Sequence, residues 1–427
     1  MSHDTTTDLR GQTIAVVGLG YVGLPTALSL ADRNASVIGF DISAKRLDAI
    51  KTNQVDLLER DRTRLQRHLN GQRLNMSTDP SALRNADAVL VCVPTPVDEH
   101  LVPDLTALSG ACATVVKHAR AGQLIVLTST TYAGCTRDLL VKPLQDKGFT
   151  VGDDIFIAFS PERIDPGVVD HVPERIPRVA GGITAECARR AESLLVHTAG
   201  SVHMVSSAEA AEMTKLLENT FRAVNIALAN EFSTAAGELS VDIIEVIKAA
   251  ATKPYGFMPF YPGAGVGGHC IPCDPHYLLW QLRGRRQASP LVEAAMTSIA
   301  TRPRQVADAA RRVLGDAGKP VAGSRVLVVG VAYKPGVADL RESPALEIID
   351  ELHAMGADVA YADPMIDSLP GTKAGVLISE PDPPAADWDL VLVHTLHPGT
   401  DYEWLADCET VLDTTYRLSH LPQRQVP

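Results

Sequence analysis

The chain has 427 residues, 45% of them hydrophobic and 21% charged, a composition that fits a globular protein with room for more than one core. Its 51 acidic against 39 basic residues leave a net charge of −12, which argues against general nucleic-acid binding, so an anionic ligand must be met by local cations or helix N-termini. The N-terminus lacks the basic and apolar regions of a secretory signal, no apolar run reaches bilayer-spanning length, and seven scattered cysteines suit reduced thiols; a cytoplasmic protein with no membrane partner is expected.

A short apolar strand at 13–17 runs into Gly18-Leu-Gly20-Tyr21-Val22-Gly23 and a helical pattern over 24–32, and a second strand at 36–40 ends in Asp41. A G-x-G-x-x-G alone is weak evidence and also occurs as a plain glycine-rich turn. Here it follows a strand, opens a helix and is followed by an acid at the end of the next strand, which is the dinucleotide-binding context. An acid at that point accepts from ribose hydroxyls and repels a 2′-phosphate, so NAD is expected over NADP. Further apolar strands at 88–93, 123–127 and 155–159 each end in a polar cluster: Pro94-Thr95-Pro96, Thr128-Ser-Thr130-Thr131 and Ser160-Pro-Glu162-Arg163. Apolar strands alternating with helix-length segments predict a parallel sheet covered on both faces, with ligands beyond the strand ends. Cys92 and Cys135 read as small packing residues.

From about 206 to 251 the pattern is of long helices rich in Ala, Leu and Glu, and the tract 221–250 reads as a long helical spine carrying an interface. Lys215 and Asn219 stand one turn apart on one helical face, where both could point at a developing oxyanion; the same pair also reads as a solvated Lys and a surface Asn. The stretch Phe257 to Asp274 follows, with Gly263, Gly265, Gly267 and Gly268 just ahead of Cys270, and Asp274 four residues beyond it. Such glycines let backbone approach a ligand, and a thiol beside an ionisable neighbour suits covalent catalysis. A helical tract over 288–315 leads to a second strand–helix pattern: strand 325–329, helix 345–355, and strands 358–362 and 390–394. It lacks a full G-x-G-x-x-G, which suggests a mononucleotide rather than a dinucleotide. A thiol combined with NAD suggests aldehyde oxidation through a thioester.

Taken in order, Gly18 to Pro25, Ser160 to Arg163, Lys215 with Asn219, Gly267 to Pro275, and Tyr333-Lys334 with Asp339 to Ser343 resemble the UDP-glucose/GDP-mannose dehydrogenase family over about residues 13–415. Within it, Ser160 to Gly167 and Ala251 to Phe260 are most similar to enzymes that oxidise UDP-N-acetylglucosamine or a related UDP-N-acetylhexosamine. The resemblance implies an α/β fold: two Rossmann-like doubly wound domains, 1–204 for NAD and 306–427 for the UDP-sugar, joined by a central helical domain, 205–305, with the cysteine loop and a homodimer interface on its long helix. It implies oxidation of the sugar C6 alcohol to a carboxylate with two NAD in succession. Cys270 would form the thiohemiacetal and thioester. Lys215 and Asn219 would stabilise the oxyanion, Asp274 would act as base or water orienter, and Glu162 would serve hydrolysis with Thr130 holding a water. The cofactor set would be Gly18, Gly20, Tyr21, Val22, Gly23, Asp41, Arg46, Pro94, Thr95, Thr130 and Arg341. Glu162, Arg163, Lys215, Asn219, Phe260, Tyr261, Gly267 and Lys334 would contact the substrate.

The chain departs from residues common in similar proteins at Thr128, Ala133, Cys135, Val168 and Ala300. Three other readings stay open: a metal or redox site at Cys270-Ile-Pro-Cys273 with His269 and His276, a nucleotide-sugar binding protein without catalysis, and a different sugar, UDP-N-acetylmannosamine or UDP-glucose.

Overall fold

The apolar runs become strands buried on both faces, as continuous Val, Ile, Leu and Phe sequences require in a covered parallel sheet. The protein, seen in a computed structural model, is described at residues 8–55, 57, 59–163 and 175–427, without the side chains of residues 59 and 60. Val168 and the Asp165-Pro-Gly167 stretch lie outside the described residues. The chain divides into two compact units, Met1–Glu218 with His276–Gln281, and Asn219–Pro275 with Leu282–Pro427.

The first unit holds β1 (Thr13–Val17), α1 (Gly23–Asp32), β2 (Ser36–Phe40), α2 (Ala44–Lys51), α3 (Glu59–Asn70), β3 (Leu74–Ser77), β4 (Ala88–Val91), α4 (Thr106–His118), β5 (Leu124–Leu127), α5 (Lys142–Asp146), β6 (Phe156–Phe159), β7 (Arg178–Gly182), α6 (Ala185–Leu195) and β8 (Val202–Val205). They form one eight-stranded sheet in the order β3-β2-β1-β4-β5-β6-β7-β8. The first six strands are parallel, in the order of a doubly wound dinucleotide fold. The expected parallel sheet is borne out for these strands, and the structure adds β7, which runs antiparallel to β6 with Phe159 opposite Gly181. The two glycines that close β7 let backbone pack closely on it, because a Cβ on Gly181 would overlap the Ser207 carbonyl and one on Gly182 would overlap the Ala188 amide of α6.

The expected helical tract over 206–251 is two helices, α7 (Ala208–Glu238) and α8 (Ile243–Ala251). Ser240 breaks them apart in the left-handed region, φ +55°, and Asp242 caps α8 by accepting from the Ile244 amide at 2.8 Å. In the second unit α7 exposes Phe221, Leu228 and Phe232, spaced as one helical stripe, and Val246 on α8 is exposed too.

After α9 (Asp274–Gly284) and α10 (Pro290–Asp316) come β9 (Arg325–Val329), α11 (Pro344–Ala354), β10 (Asp358–Ala362), a hairpin of β11 (Ser368–Thr372) and β12 (Gly375–Ile378), β13 (Leu390–Val393), β14 (Val411–Asp413) and β15 (Arg424–Gln425). The second sheet is parallel throughout, in the order β10-β9-β13-β14-β15. Its core packs Val326, Val328, Leu390 and Leu392 against Ile348, Ile349 and Leu352 of α11 and Val306, Ala310 and Leu314 of α10. Among the described residues no helix is long and apolar enough to cross a membrane.

Candidate active site

In the first sheet the strand order reverses between β1 and β4, and the crevice at that point receives the ligand in doubly wound folds. Gly18 follows β1 at φ +86°, and a Cβ there would press on the Cys92 carbonyl at 3.0 Å. A Cβ on Gly23 would overlap the Gly18 carbonyl, so α1 starts directly on the turn. Gly20 has nothing within 4 Å of its Cβ position, which leaves bare backbone open to a ligand. Tyr21 and Val22 lead into α1, whose first turn carries no acid to repel a phosphate. Asp41 accepts the Leu19 amide at 2.9 Å and the Ser43 amide at 2.9 Å, and Arg46 donates to the Leu19 carbonyl at 2.9 Å. Both side chains therefore shape the turn. A carboxylate has about four lone-pair positions, so Asp41 still has room for ribose hydroxyls. Pro94, Thr95 and Thr130 lie just past β4 and β5, and Ser129 ties the two loops by donating to the Val93 carbonyl at 2.7 Å. The donor set fits a dinucleotide: a bare turn and helix N-terminus for the pyrophosphate, an acid for the ribose. Burial pushes the Cys92 thiol up to about 12 and the Cys135 thiol up to about 12, which suits packing residues.

Glu162 is held by a feature the sequence did not reveal. Past the antiparallel pairing of β6 and β7, side chains tie the two segments together: Ser160 Oγ donates to the Val179 carbonyl at 2.9 Å and Arg163 Nη1 to the Pro177 carbonyl at 2.9 Å. Arg178, the first residue of β7 and itself buried, donates to the Glu162 carboxylate. The other carboxylate oxygen accepts the Arg163 amide at 2.8 Å. The Arg163 guanidinium pairs with Glu218 on α7, and the buried Lys215 donates from Nζ to the Glu162 carbonyl at 2.9 Å. Lys215 is thus a positioned cation rather than a solvated one. Nothing around Arg178 in the sequence marks it; the fold alone brings it to Glu162.

Cys270, Asn219 and Asp274 belong to the second unit. The Cys270 carbonyl accepts the Cys273 amide at 3.3 Å and the Asp274 amide at 2.8 Å, a turn that leads into α9. Cys270 is exposed, while Cys273 is buried. Asp274, the first residue of α9 and 3% exposed, accepts from the amide nitrogen of Asn219, 4% exposed. The glycine loop ahead of them is packed from both sides. A Cβ on Gly267 would meet Tyr333 Cβ at 2.6 Å and the Glu342 carbonyl at 2.7 Å, and Gly268, at φ +80°, donates its amide to the Arg341 carbonyl at 2.9 Å. Lys334 follows Tyr333 and is half-buried. Arg341 clamps Asp339 through Nε at 2.9 and 3.0 Å; burial opposes the Asp339 charge, but the guanidinium outweighs it and holds the carboxyl below the usual range. Phe260 meets Phe221 edge-on, centroids 5.7 Å apart, and Tyr261 is exposed.

The expected site residues therefore fall into two sets. Thr130, Glu162, Arg163, Lys215 and the cofactor turn lie in the first unit; Asn219, Phe260, Tyr261, Gly267, Cys270, Asp274, Lys334 and Arg341 lie in the second. Among the described residues no group of three or more His, Cys, Asp or Glu side chains is arranged to hold a metal.

Comparison with known proteins adds independent weight. The NAD binding domain of the UDP-glucose/GDP-mannose dehydrogenase family matches residues 12–198, its central domain 209–298 and its UDP binding domain 327–418. The chain is 35% identical over 372 residues to a UDP-N-acetyl-D-glucosamine 6-dehydrogenase of Pseudomonas aeruginosa, covering 84% of each chain. It is 34% identical over 401 residues to a UDP-N-acetyl-D-mannosamine dehydrogenase of Escherichia coli K12, covering 90% of this chain and 93% of that one. A solved structure of UDP-D-ManNAc dehydrogenase from Pyrococcus horikoshii superposes with a TM-score of 0.86 at 30% identity, covering 94% of this chain and 95% of that one. With all three parts of the family pattern met in order, on a fold with a built dinucleotide crevice, the chain belongs to the UDP-glucose/GDP-mannose dehydrogenase family and is an NAD-dependent nucleotide-sugar dehydrogenase.

Proposed function

We propose that this enzyme oxidises the C6 hydroxyl of UDP-N-acetylglucosamine to the carboxylate in two steps, through a thioester on Cys270. The observation that carries the reading is the local order around that thiol: an exposed cysteine at the end of a glycine loop, with its own carbonyl fixed by the Cys273 and Asp274 amides, and Asp274, four residues on, buried against Asn219.

NAD, when bound, accepts the two electrons of each oxidation, so two molecules are consumed per sugar. Gly18, Gly20 and Gly23 receive its pyrophosphate and Asp41 its ribose, with Arg46 bracing the turn. Cys270 adds to the C6 aldehyde to give a thiohemiacetal, whose oxidation leaves a thioester; water then attacks the carbonyl, the C–S bond breaks, and the thiolate returns. An Asn amide has two N–H groups; one is committed to Asp274, and the second is available to the oxyanion together with the Lys215 ammonium. Glu162, held on both carboxylate oxygens, orients the hydrolytic water with Thr130. The Phe257–Gly268 loop and Lys334 enclose the UDP group. The functional segments would then be 1–204, 205–305 and 306–427.

The Pseudomonas aeruginosa relative, named for UDP-N-acetyl-D-glucosamine, and the resemblance of Ser160 to Gly167 and Ala251 to Phe260 favour this sugar; the Escherichia coli relative makes UDP-N-acetylmannosamine the second reading. NADH release across UDP-N-acetylglucosamine, UDP-N-acetylmannosamine, UDP-glucose and GDP-mannose should be fastest with the first, at two NADH per sugar. One NADH per sugar would remove the two-step scheme, and a faster rate with another sugar would replace the assignment.

We also propose a homodimer through α7. Phe221, Leu228 and Phe232 form an apolar helical stripe of the kind that seats against a second helix, and a second copy presents the same stripe. Light scattering at micromolar concentration should give twice the 45.6 kDa chain mass; a monomeric mass would refute the pairing.

A further inference from the structure

The glycine loop is anchored by a residue outside the site described so far. Arg302 lies on α10, one position before the buried Pro303, and is only 2% exposed. Its Nε donates to the Gly263 carbonyl at 2.9 Å. On the other side of the same residue, the buried Asn230 of α7 accepts the Gly263 amide at 2.9 Å. Both polar backbone groups of Gly263 are therefore fixed by buried side chains from two long helices.

The rest of the guanidinium is held just as firmly. Nη2 donates to the Tyr416 hydroxyl at 3.3 Å, and Nη1 approaches Gln305 Oε1 at 3.5 Å. The Tyr416 hydroxyl also bonds Ser233 of α7 and donates to the Pro427 carbonyl at 3.2 Å.

All these partners are neutral oxygens, and among the described residues Arg302 makes no ion pair. Burying a guanidinium without a carboxylate costs stability, and an apolar side chain of similar volume would pack there at least as well. What the apolar side chain could not supply is the rigid fork, with one prong aimed at the loop. Two residues further on, Gly265 sits against Pro344 and Pro303, a Cβ there meeting them at 2.8 and 3.5 Å. Holding Gly263 therefore fixes where the loop enters this slot and how it continues to Cys270.

We propose that Arg302 is a positioning residue that, through Gly263, holds the 262–268 loop in the shape that receives the UDP group of the substrate; this rests on the reading of that loop as the UDP enclosure.

The test compares full-length wild-type protein with Arg302→Met, using calorimetric titration with UDP and, separately, with NAD. Arg302→Met should remain folded by circular dichroism and lose UDP affinity about tenfold, the scale of one charge-assisted hydrogen bond, while NAD affinity stays at the wild-type value. UDP affinity within twofold of wild type overturns the proposal, as does a parallel loss of UDP and NAD affinity, which would mark a general packing role. If Arg302→Met does not fold, Asn230→Ala releases the other half of the same peptide and is read in the same way. Failure of the wild-type chain to bind UDP would instead refute the functional reading.

Discussion

Cys270→Ser should form no sugar acid, with steady-state NADH release falling by on the order of 10³ or more, the scale of losing an enzyme's nucleophile. The substitution exchanges one exposed atom, so stability should stay within about 0.5 kcal/mol of wild type. NAD and UDP should bind as before, because the cofactor turn lies at Gly18–Gly23 and the loop glycines keep their contacts with Tyr333 and Glu342. The reason for the large loss is specific. A serine hydroxyl is a far weaker nucleophile than a thiolate near neutral pH, and an ester is a poorer acyl carrier than a thioester. Mass spectrometry of wild-type protein quenched during turnover should find a sugar-acyl adduct on Cys270. Undiminished turnover by the serine variant, with two NADH per sugar, would eliminate the covalent scheme.

Glu212→Ala should destabilise the protein by about 3 kcal/mol in urea unfolding without touching the proposed chemistry. Glu212 is fully buried on α7. Its carboxylate accepts the Gly134 amide at 2.6 Å, the Thr136 amide at 2.8 Å and the Thr136 hydroxyl at 2.6 Å. It thereby caps, from another element, the helical turns that begin at Arg137. Removing it orphans three donors at once. Burial, the strongest influence, lifts the carboxyl above the ordinary range despite these donors. A lifted acid contributes its full stability below the unfolded-state pKa and loses part of it as pH rises through the folded value. Glu212→Gln, uncharged at every pH, should remove that slope while keeping one acceptor. A midpoint shift equivalent to less than about 0.5 kcal/mol for the alanine variant would refute the capping role.

The parts legible in the sequence were those whose signal is local. The apolar runs of β1, β4, β5, β6 and β9 announced themselves, and the glycine turn with Asp41 carried its spacing within a single strand–helix–strand unit. β3, with the sequence Leu-Asn-Met-Ser, and β7, with two glycines, have no such run; they are strands because neighbours in the sheet supply their hydrogen bonds. The break at Ser240 was hidden because one left-handed residue leaves the composition unchanged. Glu212, Arg178 and Arg302 were hidden for a different reason. Each looks like a routine charged residue, and its partner is brought up only by the fold: Glu212 reaches back 76 residues to Thr136. Lys215 and Asn219 were visible by spacing, but their burial and their separate partners, Glu162 and Asp274, were not.

The second sheet repeats the scaffold of the first, yet its counterpart of Asp41 is sealed. Asp363, at the end of β10, spends one oxygen on the Val331 amide at 2.7 Å, the Ala332 amide at 3.1 Å and His397 at 3.2 Å, and the other on the Met365 amide at 2.8 Å. Its side chain is 0% exposed. Fully buried and engaged from within on both oxygens, this acid is closed to the ribose contact that Asp41 has room for. Of the two acids at these matching strand ends, among the described residues Asp41 alone stays within reach of a coenzyme ribose.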